Sequence, residues 1–300
     1  MKQKQFKDYI WIDFENPTKE DIEFIEKKFN FHHLALEDCI SDIQRPKVDL
    51  YDDHLFMVFH FPKHIKELQR TTAYEIDVFI GKSFIITLHK QLVKPLDELF
   101  EEVEGSKSLQ TDTPSMLLYE ILDKTFNYCF PMLDKISEKL NSIEDSLYRD
   151  HARDVLEKIA FLEHDIINFR RIINPQRYVI KDLENMKSKY LDRDTDIYFG
   201  DIADKIERIW DLLDNYREVS EVLQHTSESI LTHRLNEIIK ILTIFSVIML
   251  PLTVITGFYG MNVKGLPFAN HSMASWIVAG FLLIIVAVML TWFVRKKWIK

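Results

Sequence analysis

The stretch Asn236–Asn262, NEIIKILTIFSVIMLPLTVITGFYGMN, decides how the rest of the chain is read. From Ile241 to Tyr259 it runs nineteen residues without a charge. At about 1.5 Å per residue that is roughly 28 Å of helix, the thickness of a bilayer's hydrocarbon core. A second uncharged run, Trp276 to Val294, follows a short connector and stops at Arg295, Lys296 and Lys297. The chain is therefore expected to cross a membrane twice, with spans near 239–260 and 275–295, and to return to its starting side. His233, Arg234 and Lys240 precede the first span, and Arg295, Lys296, Lys297 and Lys300 follow the second, whereas the connector offers only Lys264. The positive-inside rule then puts both termini in the cytoplasm of a multi-pass protein of the cell membrane.

The first span ends in Tyr259-Gly260-Met261-Asn262 and is followed by one further span and a Lys-rich tail. This arrangement resembles the CorA family of magnesium transporters, within the two-helix GxN superfamily. Leu34-Ala35-Leu36-Glu37-Asp38 followed by Gln44-Arg45-Pro46-Lys47 is similar to the family's N-terminal signature, so the likeness spans nearly the whole chain. The resemblance implies a homopentamer whose first span lines the axis, with Gly260, Met261 and Asn262 as the selectivity filter.

Composition agrees with a large body outside the membrane. All 47 acidic residues lie in 1–237 against 32 Lys and Arg, a net charge of −15 there, while 238–300 carries six basic residues and no acid. An acidic body attracts cations and lacks the basic patches that phosphate contacts require, which excludes nucleic acid as a partner. The start, MKQKQFKDYIWIDFENP, shows no apolar signal-peptide region, so the bulk is expected to stay in the cytoplasm. Cys39 and Cys129 form no metal motif and no disulfide framework. No HExxH, CxxC or Gly-rich phosphate loop occurs, so neither an enzyme nor a nucleotide site is expected.

The fold expected is an α+β membrane protein: an α/β cytoplasmic domain over 1–105, a helical hairpin and the start of a stalk helix over 106–237, and a transmembrane domain over 238–300. Tyr9–Phe14, Leu55–Phe61, Tyr74–Ile80 and Phe84–His89 read as strands, with Gly81-Lys82-Ser83 turning between the last two. Thr18–Phe29 reads as a helix capped by Thr18, and Leu34–Ile40 as a second. Apolar residues at helical spacing from Ser115 to Tyr190 predict a long hairpin, with Asn174-Pro175 as its break. A last pattern from Ile202 to Leu223 runs without Gly or Pro into the first span, predicting one helix of more than about fifty residues.

Three constellations could carry chemistry. Asn236, Thr243, Ser246, Leu250, Thr253 and Gly257 recur mainly every three or four residues, giving one side of the first span a small or hydroxylated character. A hydroxyl in a membrane helix can bond to its own backbone or a neighbouring helix. Several on one face, ending in an Asn, favour a watery lumen, with Leu242 and Leu250 as hydrophobic constrictions. Two spans cannot enclose a pore, so conduction requires a homo-oligomer set in membrane lipid. At its end, Asn262 and the carbonyl of Gly260 offer neutral oxygens suited to magnesium, which dehydrates reluctantly and is held through its water. Gly260 is expected to permit a non-helical turn.

The third constellation comes from the resemblance. Phe199-Gly200-Asp201-Ile202-Ala203-Asp204 is similar to the family segment that carries an acidic ligand at the position of Asp201, with Asp204 beside it and Asp38 supplied by the neighbouring subunit. Bound Mg2+ would relieve repulsion across that interface and hold the pore shut. Asp192, Asp194 and Asp196 mimic the start of an EF-hand loop, but Ile197 and Ala203 stand where its glycine and glutamate belong, which rejects that reading. The connector lacks the acids that many family members carry, and His225 stands where relatives place an Asp. A histidine near a lumen suits Zn2+, Co2+ or Ni2+. Two rivals to a magnesium importer follow: a transporter of those softer ions, proton-coupled or not, and a membrane-anchored sensor that does not conduct.

Overall fold

A computed structural model describes all residues except 42–43, 66–69, 104–110, 148–151, 187, 193–194, 264–265, 268–271 and 299–300. Most of the acid-free connector therefore lies outside the described residues. The chain divides into two compact units, Met1–Gln224 and His225–Lys300.

The first unit is built on a six-stranded sheet of β1 (Lys2–Gln5), β2 (Ile10–Glu15), β3 (Lys47–Leu50), β4 (Leu55–Ile65), β5 (Arg70–Ile80) and β6 (Phe84–His89). Their spatial order is β1-β2-β6-β5-β4-β3. Only β2 and β6 are parallel, with Ile12 opposite Ile86, and the other pairs are antiparallel. The two-residue period of a strand sends Ile12, Phe14, Phe56, Val58, Phe79 and Ile86 to one face. There they bury α1 (Lys19–Phe29) and α2 (His33–Ile40) through Ile22, Ile25, Leu36 and Cys39. α1 begins with the expected cap: Thr18 accepts from the Asp21 amide, and the Asp21 carboxylate accepts from that of Thr18.

The opposite face carries α3 (Lys94–Glu102), α4 (Pro114–Asn127) and α6 (Ala152–Asn185). Trp11 meets Phe100 of α3 at 4.7 Å between ring centroids, and Phe61 meets Phe126 of α4 at 4.8 Å. α5 (Cys129–Ser146) packs antiparallel to α6, its Lys139–Ile143 turn facing Lys158–Leu162. The hairpin thus turns between α5 and α6 and not at Asn174-Pro175. Pro175 lies inside α6, and the helix continues through it because Ile172, Ile173, Gln176, Val179 and Ile180 are all buried. That packing offsets the roughly 3 kcal/mol an internal proline costs.

Between α2 and the sheet lies a cavity of about 90 Å³ lined by Cys39, Glu75, Asp77, His89 and Lys90 among others. Asp77 is buried in its wall with Oδ1 unpartnered. Burial, reinforced by the charge of Glu75, pushes its carboxyl up to about 8. A folded-state value above the unfolded one means that stability present below about pH 4 is lost as pH rises towards 8. Asp77→Asn escapes that loss. Its melting temperature should exceed the parent's by a margin that grows from pH 4 to pH 8 to several degrees, on the order of 2–4 °C per kcal/mol. A margin independent of pH in thermal scans would show that Asp77 does not titrate there.

α7 spans Thr195–Tyr259, 65 residues in one helix, in line with the pattern that lacked any breaker. Within the first unit it is held against α6 by a stack. The guanidiniums of Arg170 and Arg177 lie 4.4 and 4.8 Å from the Trp210 ring centroid, on the residues that also pair with Asp214 and Glu207. Arg177 grips Glu207 with two hydrogen bonds, of 2.8 and 2.7 Å. In the second unit α8 (Ala274–Arg295) follows, and the chain then folds back. Lys297 adopts the left-handed conformation, the Trp298 amide donates to the Phe293 carbonyl at 2.9 Å, and the two rings meet at 5.8 Å.

Candidate ion pathway and cation-sensing residues

Among the described residues two helices are long and apolar enough to cross a membrane, α7 and α8, with mean hydropathies of 2.4 and 2.8 in their most apolar windows. Within the second unit α8 lies against one side of α7. Val254, Ile255, Phe258 and Tyr259 line a cleft with Ile277, Val278 and Phe281. The side chains on this cleft are aliphatic or aromatic, and none of the hydroxylated residues takes part in it.

The hydroxylated residues lie elsewhere on the helix. Asn236, Thr243, Leu250 and Gly257 follow one another at intervals of seven, and Ser246, Thr253 and Gly260 form a second column of the same period. Asn236, Ser246, Leu250, Thr253 and Gly257 are exposed in the chain and Thr243 half-exposed. Leu242, 63% exposed, stands one step round the helix from Thr243 and outside both columns. Leu250, 68% exposed, falls within the first. The hydroxyls of Thr243, Ser246 and Thr253 donate to the carbonyls of Ile239, Leu242 and Met249 at 2.7, 2.9 and 2.9 Å. Each has thereby given its hydrogen to the backbone and presents only lone pairs outward. A hydrated cation presents the hydrogens of its water, so the face offers acceptors where such an ion offers donors. Pro251, outside both columns, is inside the helix and half-buried.

The helix closes at Tyr259. The Gly260 amide still donates to the Thr256 carbonyl at 2.9 Å and that of Met261 to Phe258 at 3.3 Å, after which Met261 and Asn262 are exposed. The expected reason for Gly260 needs correction: its backbone is not in the left-handed region that favours glycine. A Cβ there would sit 3.1 Å from the Thr256 carbonyl oxygen and 3.5 Å from that of Gly257. It is this close approach of backbone, rather than a left-handed turn, that a side chain at 260 would crowd.

The acidic candidates are dispersed within one chain. Asp38 projects from α2, whose Ala35, Leu36 and Cys39 anchor it to the sheet. Lys47 of β3 holds it, Nζ lying 2.8 Å from Asp38 Oδ2 and 2.7 Å from Asp49 Oδ2. Burial opposes the ammonium charge, but the two carboxylates more than offset this and raise its pKa. Asp201 is exposed on the second turn of α7 and accepts from the Tyr119 hydroxyl at 3.4 Å. Asp204 is exposed one turn on. Among the described residues no three His, Cys, Asp or Glu converge to hold a metal. His225 is 81% exposed, its Nδ1 3.9 Å from Glu228. Asp192, from the rejected EF-hand reading, accepts from the Thr113 and Ser115 hydroxyls at 2.5 Å and serves to pin α4.

Sequence reasoning missed Lys47 as a partner of Asp38, although Gln44-Arg45-Pro46-Lys47 was in view. It also missed a buried network in which Trp11 donates to Thr87, Thr87 donates to Asp13 at 2.5 Å, and His89 lies 3.2 Å from Asp13.

An acidic α/β body followed by two apolar C-terminal helices defines a membrane protein whose bulk lies outside the bilayer. The chain belongs to the family of CorA-like Mg2+ transporter proteins, whose family model matches residues 6–297. It is 32% identical to the protein YfjQ of Bacillus subtilis over 97% of this chain and 90% of that one. It is 24% identical to the cobalt/magnesium transport protein CorA of Thermotoga maritima over 96% and 83%. The solved structure of the CorA magnesium transporter from Methanocaldococcus jannaschii shares the fold at a TM-score of 0.89 and 24% identity, covering 100% of this chain and 95% of that one. Members of this family are transporters, not enzymes.

Proposed function

We propose that this CorA-family divalent cation transporter is a channel-like importer of hydrated Mg2+ in the cell membrane, assembled as a homopentamer with both termini in the cytoplasm. The observation that carries this reading is the division of α7 into two sides. Apolar residues meet α8, while the columns through Asn236, Thr243, Ser246, Leu250, Thr253 and Gly257 stay open within the chain. A seven-residue repeat is the period at which helices wind about one another in a left-handed bundle. Copies of α7 gathered on those columns would enclose lone-pair oxygens and leave lipid to the other faces. Leu250 narrows that lumen, and Leu242 flanks it.

Asn262 and the Gly260 carbonyl at the outer end bind the ion through its water, and the lone pairs below receive it in turn. The membrane potential drives entry: a divalent ion gains about 4–5 kcal/mol across −100 mV. Cytosolic Mg2+ closes the assembly by bridging Asp38 of one copy to Asp201, with Asp204, of the next.

Purified protein in liposomes loaded with a Mg2+-sensitive dye should take up Mg2+ when an inward-negative potential is imposed. Co2+, Ni2+ and Zn2+ added outside test the rival preference, to which His225 lends some support. Stronger uptake of Zn2+ than of Mg2+ would reassign the substrate, and absence of flux in a correctly assembled oligomer would leave a sensor without a pore.

A further inference from the structure

Lys47 sits in a prepared place. Its strand, β3, pairs with β4 so that Lys47 is opposite Val58, and the side chain reaches back to α2. There the ammonium lies between Asp38 and Asp49 and 5.2 Å from the centroid of the Phe56 ring. Three groups that favour a cation surround it: two carboxylates and an aromatic face. Asp38 is 27% exposed, Lys47 34% and Asp49 40%, so the cluster is open to solvent ions.

We propose that Lys47 is a tethered cation that occupies Asp38 in the free chain, and that divalent cations must displace it to engage that carboxylate. This rests on the reading of Asp38 as a cation-sensing residue. A Lys ammonium is a compact point charge on a flexible stem, so it yields Asp38 without dragging the backbone. Asp49 keeps the displaced ammonium, which would otherwise be left between Asp38's new ion and the Phe56 ring. Exchange is therefore reversible, and Lys47 sets the concentration at which it occurs. Asp38 with no competitor would be engaged at a lower level of Mg2+, and with a stronger competitor at a higher one.

Two substitutions push the threshold in opposite directions, which a general loss of fold would not do. Lys47→Gln removes the competing charge at nearly constant length, and the Mg2+ concentration that half-inhibits uptake should fall about two- to fivefold, the range of a partly exposed ion pair. Asp49→Asn removes the alternative partner and leaves Lys47 to Asp38 alone, so the half-inhibitory concentration should rise by a similar factor. Lys47→Arg keeps a cation in place and should stay within twofold of the parent. The measurement is uptake into liposomes at graded internal Mg2+, with Asp201→Lys run in parallel. If Asp201→Lys relieves inhibition while Lys47→Gln leaves the midpoint unmoved or raises it, the sensing role stands and the tethered cation is refuted. If Asp201→Lys leaves inhibition intact, the sensing reading falls and takes this one with it.

Discussion

Asn262→Ala is expected to abolish Mg2+ uptake while leaving the assembled protein intact. The residue follows the last helical turn of α7, is exposed, and has a neutral amide whose oxygen accepts and whose nitrogen donates. Magnesium keeps its water because stripping the shell costs more than a few carbonyls return. A ring of amides that bonds to that water can select the ion and still release it, whereas carboxylates would hold it. Alanine removes one such group from every copy at once. Each lost hydrogen bond is worth about 0.5–1.5 kcal/mol. In the proposed pentamer five at one site reach several kcal/mol, so flux should drop by about a hundredfold or more at 1.4 kcal/mol per tenfold. Because the side chain is exposed in the chain, size-exclusion profile and thermal stability should not change. Undiminished uptake in liposomes would remove Asn262 from the filter.

Asp201→Lys should leave uptake running when internal Mg2+ is high. Asp201 is exposed six residues into the helix of 65 residues that ends at the candidate filter. The Tyr119 hydroxyl donates to it at 3.4 Å, long for a hydrogen bond, which leaves the carboxylate available to an ion. Replacing it by lysine turns a group that attracts a divalent ion into one that repels it. The half-inhibitory Mg2+ concentration should move upward by at least about tenfold, the equivalent of 1.4 kcal/mol. Inhibition at the parent's concentration would refute the sensing role, and the same liposomes, titrated from inside, make the measurement.

Much of the fold was legible because the physics that forms it is local. β2, β4, β5 and β6 are rich in aromatic and β-branched residues, and α7 offered no glycine or proline between Gly200 in its first two turns and Pro251. β1 and β3, reading KQKQ and KVDL, were not legible. Both lie at the sheet's edges, where a strand pairs on one side only and charged residues protect it, so neither carries an apolar pattern. α3 begins at Lys94 with Pro95 in its first turn and no capping hydroxyl, which hid it as well. Pro175 misled because a helix's tolerance of proline is set by what its buried side packs against, which spacing does not reveal.

At the site, the columns of α7 could be read from period alone. The hydroxyls' return to their own backbone could not, since Ser and Thr have the same letters whichever way they bond. Asp38 and Lys47 are nine residues apart, and they meet because an edge strand comes back beside a helix.

Pro251 bears on how the first span responds to force. Having no amide hydrogen, it leaves the Val247 carbonyl one turn earlier without its helical donor, so the ladder of bonds along α7 is one rung short within the membrane. A segment that lacks a rung bends there at less energetic cost than an intact turn would. The two turns of α7 between Pro251 and Asn262 are therefore tied to the turns before them by one bond fewer than an intact ladder would give, which makes this end of the span its more compliant part.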